Sequence, residues 1–177
     1  MNAYEPSQDR NVAALSICLH VRWFIYMKNI HEHFMKIALK EARKASLIDE
    51  VPIGCVIVKD NIVIAKGHNI RETKLDPLGH AELVAIKKAA KKLGDWQLVG
   101  CDLYVTIEPC IMCSGAIIQS RIARVIYGAD DIKGGGLGSS IDVMSADNIN
   151  HKPEIIKNIL KEECSKVIKD YFKAKRN

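Results

Sequence analysis

Apolar positions recur at helical spacing through Phe34, Ile37, Ala38, Ala42 and Ala45, while Lys36, Lys40, Arg43 and Lys44 occupy the opposite face. That period predicts an amphipathic helix. The pattern then changes to Ile53-Gly54-Cys55-Val56-Ile57-Val58, a short continuous apolar run, and Lys59-Asp60-Asn61 turns it into Ile62-Val63-Ile64-Ala65. Two such runs around a turn predict a hairpin of buried strands. An irregular stretch through Asp76-Pro77-Leu78-Gly79 leads to His80, and Leu83, Val84, Ile86, Ala89 and Ala90 predict a helix ending near Leu93 at Gly94-Asp95. Asp102 to Ile107 reads as a strand, Cys110 to about Ser120 as a helix, and Ala123 to Tyr127 as a strand. A short strand near Lys152–Ile156 follows, then a last helix with Leu160, Cys164, Val167, Ile168 and Tyr171 on one face. Strands alternating with helices predict an α/β domain of three layers, helices on both faces of a mixed sheet of about five strands.

Residues 1–30 fit this pattern least. Val12 to Leu19 is apolar, but His20 and Arg22 interrupt it, and neither a basic start nor a small-residue cleavage site is present. The expectation is an N-terminal extension over 1–30, from an upstream start, with Met27 as the natural initiator and one domain over 31–177. The glycine run Gly134-Gly135-Gly136-Leu137-Gly138 predicts a flexible or tightly turning loop; no strand-to-helix unit frames it as a dinucleotide site.

Composition narrows the class. A chain of 177 residues, 48% apolar, can bury one full core, and no stretch is long and apolar enough to span a bilayer. Of six cysteines, only Cys110 and Cys113 form a Cys-x-x-Cys pair, which beside a predicted helix favours metal chemistry over a disulfide framework. A reducing cytoplasm is the expected compartment. The net charge of +5 is unevenly spread: from residue 152 onward eight basic residues face four acidic ones. On charge alone such a tail reads as a solvated helix face, with cations favoured near its C-terminus, ahead of a surface for a polyanion.

Cys110 and Cys113, three apart at a helix start, point their sulfurs the same way, and the helix dipole favours thiolates there. His80 would complete three ligands, the number a catalytic zinc site uses while keeping a fourth position open. Glu82, two residues beyond the histidine, can stand near that position as an acid–base group. The competing arrangement is a closed structural site, for which His20, His31, His33, His68 and His151 are numerically available. It gives Glu82 no purpose. Glu108 reads as a strand-end carboxylate or as an orienting group, and sequence does not choose.

His80-Ala81-Glu82 followed by Pro109-Cys110-Ile111-Met112-Cys113 resembles the signature of the zinc-dependent cytidine/purine deaminase superfamily. With Leu103 to Ala116, Arg121-Ile122 and Val125 to Ala129, the likeness narrows to bacterial tRNA-specific adenosine deaminases, over about residues 31–174. The resemblance implies a cytidine-deaminase-like fold, one zinc ion per subunit on His80, Cys110 and Cys113, and Glu82 as proton shuttle for a zinc-activated hydroxide. It implies conversion of the wobble adenosine, position 34, to inosine in tRNA-Arg with anticodon ACG, by a homodimer that grips the anticodon stem-loop. Asn69 and Asp131 would contact the RNA, with Asp76, Lys133, Tyr171 and Phe172 as further candidates. Each has a plainer reading: a strand end for Asn69, turns for Asp76, Asp131 and Lys133, and a packed helix end for Tyr171-Phe172. Leu78-Gly79 replaces the family's usual Thr-Ala, and Cys55 stands where Ala is common. The rivals are a free-base or nucleoside deaminase of guanine or cytosine type, and a non-catalytic zinc protein that binds RNA.

Overall fold

The computed structural model describes residues 9–176, with side chains from Tyr26 onward. Residues 1–8 of the expected N-terminal extension lie outside the described residues. Helix α1 runs over Asp9–Leu47 as one piece, longer than the stripe at 34–45 predicts. The reason is local: no proline or glycine stands between Pro6 and Pro52 to stop it. Its contact with the domain is carried by Ile30, His31, Phe34, Met35, Ala38 and Ala42.

The remaining elements follow in order: β1 (Gly54–Lys59), β2 (Ile62–His68), α2 (Ala81–Leu93), β3 (Cys101–Ile107), α3 (Ile111–Gln119), β4 (Arg124–Ala129), β5 (Glu154–Ile156) and α4 (Lys161–Ala174). A short 3-10 turn at Val143–Ser145 precedes β5. The five strands form one mixed sheet in the order β2-β1-β3-β4-β5. β1 pairs antiparallel with both β2 and β3, whereas β3, β4 and β5 run parallel. Strand alternation divides the core between the two faces. Cys55, Ile57, Leu103, Val105, Val125 and Tyr127 face the cluster that includes Ala81, Ala85 and Ala89 of α2 and Ile117 of α3. Val56, Val58, Tyr104 and Ile126 face α1 and Cys164 of α4. This is the three-layer architecture that the pattern predicts. Each fully buried aliphatic side chain contributes about 1.5–3 kcal/mol.

One glycine shows how tightly the layers approach. A Cβ on Gly54 would collide with the α1 backbone at Ala38 O and Ala42 N, so only glycine lets the helix lie on the start of β1. Among the described residues, no helix is long and apolar enough to cross a membrane.

Candidate active site

Two helix N-termini meet beyond the end of β3. His80 is the N-cap of α2 and Cys110 the N-cap of α3, both extended in backbone and neither using its side chain to cap. The side chains are therefore free to converge. His80 Nδ1 lies 3.6 Å from Cys110 Sγ and 3.5 Å from Cys113 Sγ. A tetrahedral zinc with ordinary Zn–N and Zn–S bonds would place nitrogen and sulfur about 3.6 Å apart. The donor atoms thus already stand at the spacing the ion requires, and all three lie within 4.8 Å of one another.

The closed structural alternative needs a fourth protein ligand, and the group contains only these three residues among those described. Other histidines are engaged elsewhere. His31 meets Tyr104 Oη at 2.9 Å on the far face of the sheet, His68 meets Glu41 at 3.3 Å, and His151 Nε2 donates to Ile122 O at 2.6 Å.

Charge in the site is arranged for a cation and a proton carrier. The Cys110 thiol is drawn down to about 4, first by the hydrogen bond from Cys113 and then by His80. The same bond, together with burial, pushes Cys113 up, and the bond to Cys110 raises His80. Glu82, in the first turn of α2, is buried, and its Oε2 has no hydrogen-bond partner. Burial pushes its carboxyl up to about 7, so it can hold or release a proton near neutrality. A buried carboxylate oxygen left without a partner costs stability, and such a cost is usual where a group is kept for chemistry.

Glu108, undecided from sequence, is an orienting group. It is buried and accepts from the backbone N–H of Leu137 at 2.8 Å, Ser139 at 3.1 Å and Asp131 at 3.2 Å. The glycine run is consequently pinned: Gly136 N donates to Pro109 O at 2.8 Å, and Gly135 pairs with Cys110. A Cβ on Gly135 would stand 2.5 Å from the Glu108 carboxylate and 2.6 Å from Asp131 O. Gly135→Ala is expected to cost about 1–3 kcal/mol in urea-melt stability and to expose the 131–139 loop to protease.

The remaining candidates fall into separate places. Asn69 is buried and donates from Nδ2 to Glu50 Oε2 at 3.1 Å. Asp76 Oδ1 accepts from Leu78 N at 2.9 Å, and Asp131 Oδ1 accepts from Lys133 N at 3.1 Å and Gly134 N at 3.2 Å, so both shape turns. Lys133 and Phe172 line one surface groove with Ile168, Lys169, Lys175 and Arg176. Tyr171 turns away, its hydroxyl donating to Asp49 O at 2.9 Å. Cys55 is a small buried thiol whose pKa is raised first by burial and then by Glu82. Sequence reasoning missed Glu50, because a charge at a helix end ordinarily faces water.

The profile of the MafB19-like deaminase family matches residues 29–176. The tRNA-specific adenosine deaminase of Bacillus subtilis (strain 168) is 44% identical over 145 residues, which cover 82% of this chain and 90% of that protein. The chain belongs to the tRNA-specific adenosine deaminase family. A solved structure from work on A-to-I editing by tRNA:A34 deaminases at the wobble position of transfer RNA has a TM-score of 0.75 and 44% identity. The likeness covers 76% of this chain and 98% of that one. The guanine deaminase of Bacillus subtilis is also similar, at 46% identity and a TM-score of 0.54, over 56% of this chain and 64% of its own. The family's fold is thus shared with a free-base enzyme, but the wobble-editing structure matches along much more of the chain.

Proposed function

We propose that this protein is a hydrolase that deaminates the wobble adenosine of tRNA, position 34, to inosine. The observation that carries the reading is the pairing of a three-donor group at zinc spacing with a buried carboxylate, one oxygen of which has no hydrogen-bond partner, two residues from its histidine. Kinship with tRNA-specific adenosine deaminases supplies the substrate class.

His80, Cys110 and Cys113 would hold one zinc ion per subunit. When bound, zinc lowers the pKa of a coordinated water toward ~7 and so makes a nucleophile available at neutral pH. Glu82 would take one proton from the attacking water and place it on the ring nitrogen. It would then carry the second proton, from the added hydroxyl, to the amino group, so that ammonia leaves and the carboxylate ends as it began. Cys55 and Ala81, both fully buried, keep the site dry on the sheet side. Asn69 would hold the purine nucleoside. Asp131, with Lys133 and Phe172 in the basic groove, would meet the anticodon loop, and Tyr171 and Asp76 would support its edges. A single-stranded loop suits a recessed pocket, because the target base is already free to leave its stack.

The finer assignments belong to the same proposal: tRNA-Arg with anticodon ACG as substrate, and a homodimer as the working unit. Exposed Leu78, Trp96 and Ile111 supply apolar surface that a second copy would cover. The deciding assay incubates zinc-loaded protein with an ACG anticodon stem-loop, guanine, cytosine and cytidine. Inosine and ammonia from the stem-loop alone are expected; ammonia from guanine or cytosine would favour the free-base rival. Stem-loop binding is expected to weaken as salt rises, with log K falling by about 0.7 per phosphate contact for each tenfold in salt. Filter binding across a salt series measures this, and a flat line would remove the basic groove from the RNA site.

A further inference from the structure

Glu50 stands just past the end of α1 and is fully buried. Its Oε1 accepts from the Thr73 backbone N–H at 2.7 Å and from Thr73 Oγ1 at 2.9 Å, and its Oε2 accepts from Asn69 Nδ2 at 3.1 Å. Three donors face the carboxylate. This matters because a primary amide is ambiguous by nature: one edge donates, the other accepts, and a half-turn exchanges them. Turning Asn69 so that Oδ1 faced Glu50 would set lone pairs against lone pairs in a buried place, where an unmade hydrogen bond is most costly. The two bonds from Thr73 hold the carboxylate, so carboxylate and amide cannot re-orient together.

The place of Asn69 gives that lock a use. β2 ends at His68, paired with Gly54, and Asn69 N then donates to Ile53 O at 3.1 Å. On either side of Asn69 the chain lies against the start of α2: a Cβ on Gly67 would collide with Ala81 O, between His80 and Glu82, and Ile70 N donates to Gly79 O at 2.9 Å. Asn69 therefore leaves the sheet at the end where Glu82 lies.

We propose that Glu50 is a positioning residue that locks the Asn69 amide in one orientation, so that the substrate meets an acceptor oxygen and one N–H in fixed places. The proposal rests on the reading of Asn69 as a substrate contact. Glu50 never touches substrate; it acts through Asn69 alone.

A double-mutant cycle on the full zinc-loaded chain tests this, with kcat and KM measured on the anticodon stem-loop for wild type, Glu50→Gln, Asn69→Ala and the double variant. An amide in place of Glu50 can donate or accept and lets Asn69 turn, so KM is expected to rise about tenfold with kcat within about twofold. On the Asn69→Ala background the same substitution is expected to change KM by less than about twofold, because the lock has nothing left to hold. Melting temperature and zinc content are read alongside. An equal cost in both backgrounds overturns the proposal and leaves the Asn69 reading standing. Undiminished activity in Asn69→Ala alone removes the substrate-contact reading, and the proposal with it. If Glu50→Gln does not fold, Glu50→Asp, which keeps the acceptors but withdraws them by a methylene, carries the same cycle with the same outcomes.

Discussion

Glu82→Gln is expected to lower turnover of the stem-loop by about 10²–10⁴-fold while the protein keeps one zinc ion per chain. The substitution preserves shape but removes the carboxyl proposed to carry the proton. Glu82 is not among the three donors at zinc spacing, so metal content should not change. Single-turnover kinetics with zinc measured on the same sample separates the two effects. Undiminished turnover would end the shuttle role.

The metal-free protein offers a second readout. Burial holds the folded Glu82 carboxyl at about 7, above its ordinary 4.5, so its ionisation opposes folding. Stability should therefore fall as pH rises from about 4.5 through about 7, and Glu82→Gln should be spared that loss. Melting curves of the stripped protein across this window check the sign.

Loss of the donor set carries the other large effect. Cys113→Ser, or chelation of the wild type, is expected to cut activity by at least about a hundredfold together with zinc content. Cys113 is fully buried and its sulfur faces His80 Nδ1 at 3.5 Å, so an oxygen there is both harder and set too short for the same position. Added zinc should restore the chelated wild type and not the variant. A Cys113→Ser protein that retains zinc and full activity would mean that the ion sits elsewhere. The paired measurement separates loss of the ion from loss of the fold, which circular dichroism follows.

The helix and strand periods of the chain were sufficient to place the sheet and its covering helices, because burial repeats along each element with a period that composition preserves. β2 extends to His68, three residues past its apolar run, since Lys66 and His68 continue the ladder opposite Val56 and Gly54 on backbone bonds alone. Likewise the donor trio was legible, since His80, Cys110 and Cys113 are residue types with little other reason to stand at that spacing.

What remained open in the chain itself were the roles of ordinary carboxylates. Nothing local distinguishes Glu108 from a solvated strand end or Glu50 from a charged helix terminus. Their partners lie far along the chain, at Leu137 and Ser139 for the one and at Asn69 and Thr73 for the other. The sequence by itself determined the layers, the three donors and the carboxylate beside them, because those follow from local period and intrinsic chemistry. Only the tertiary structure decided which acids are buried and what they hold, because burial of a charge depends on donors that folding alone brings to it.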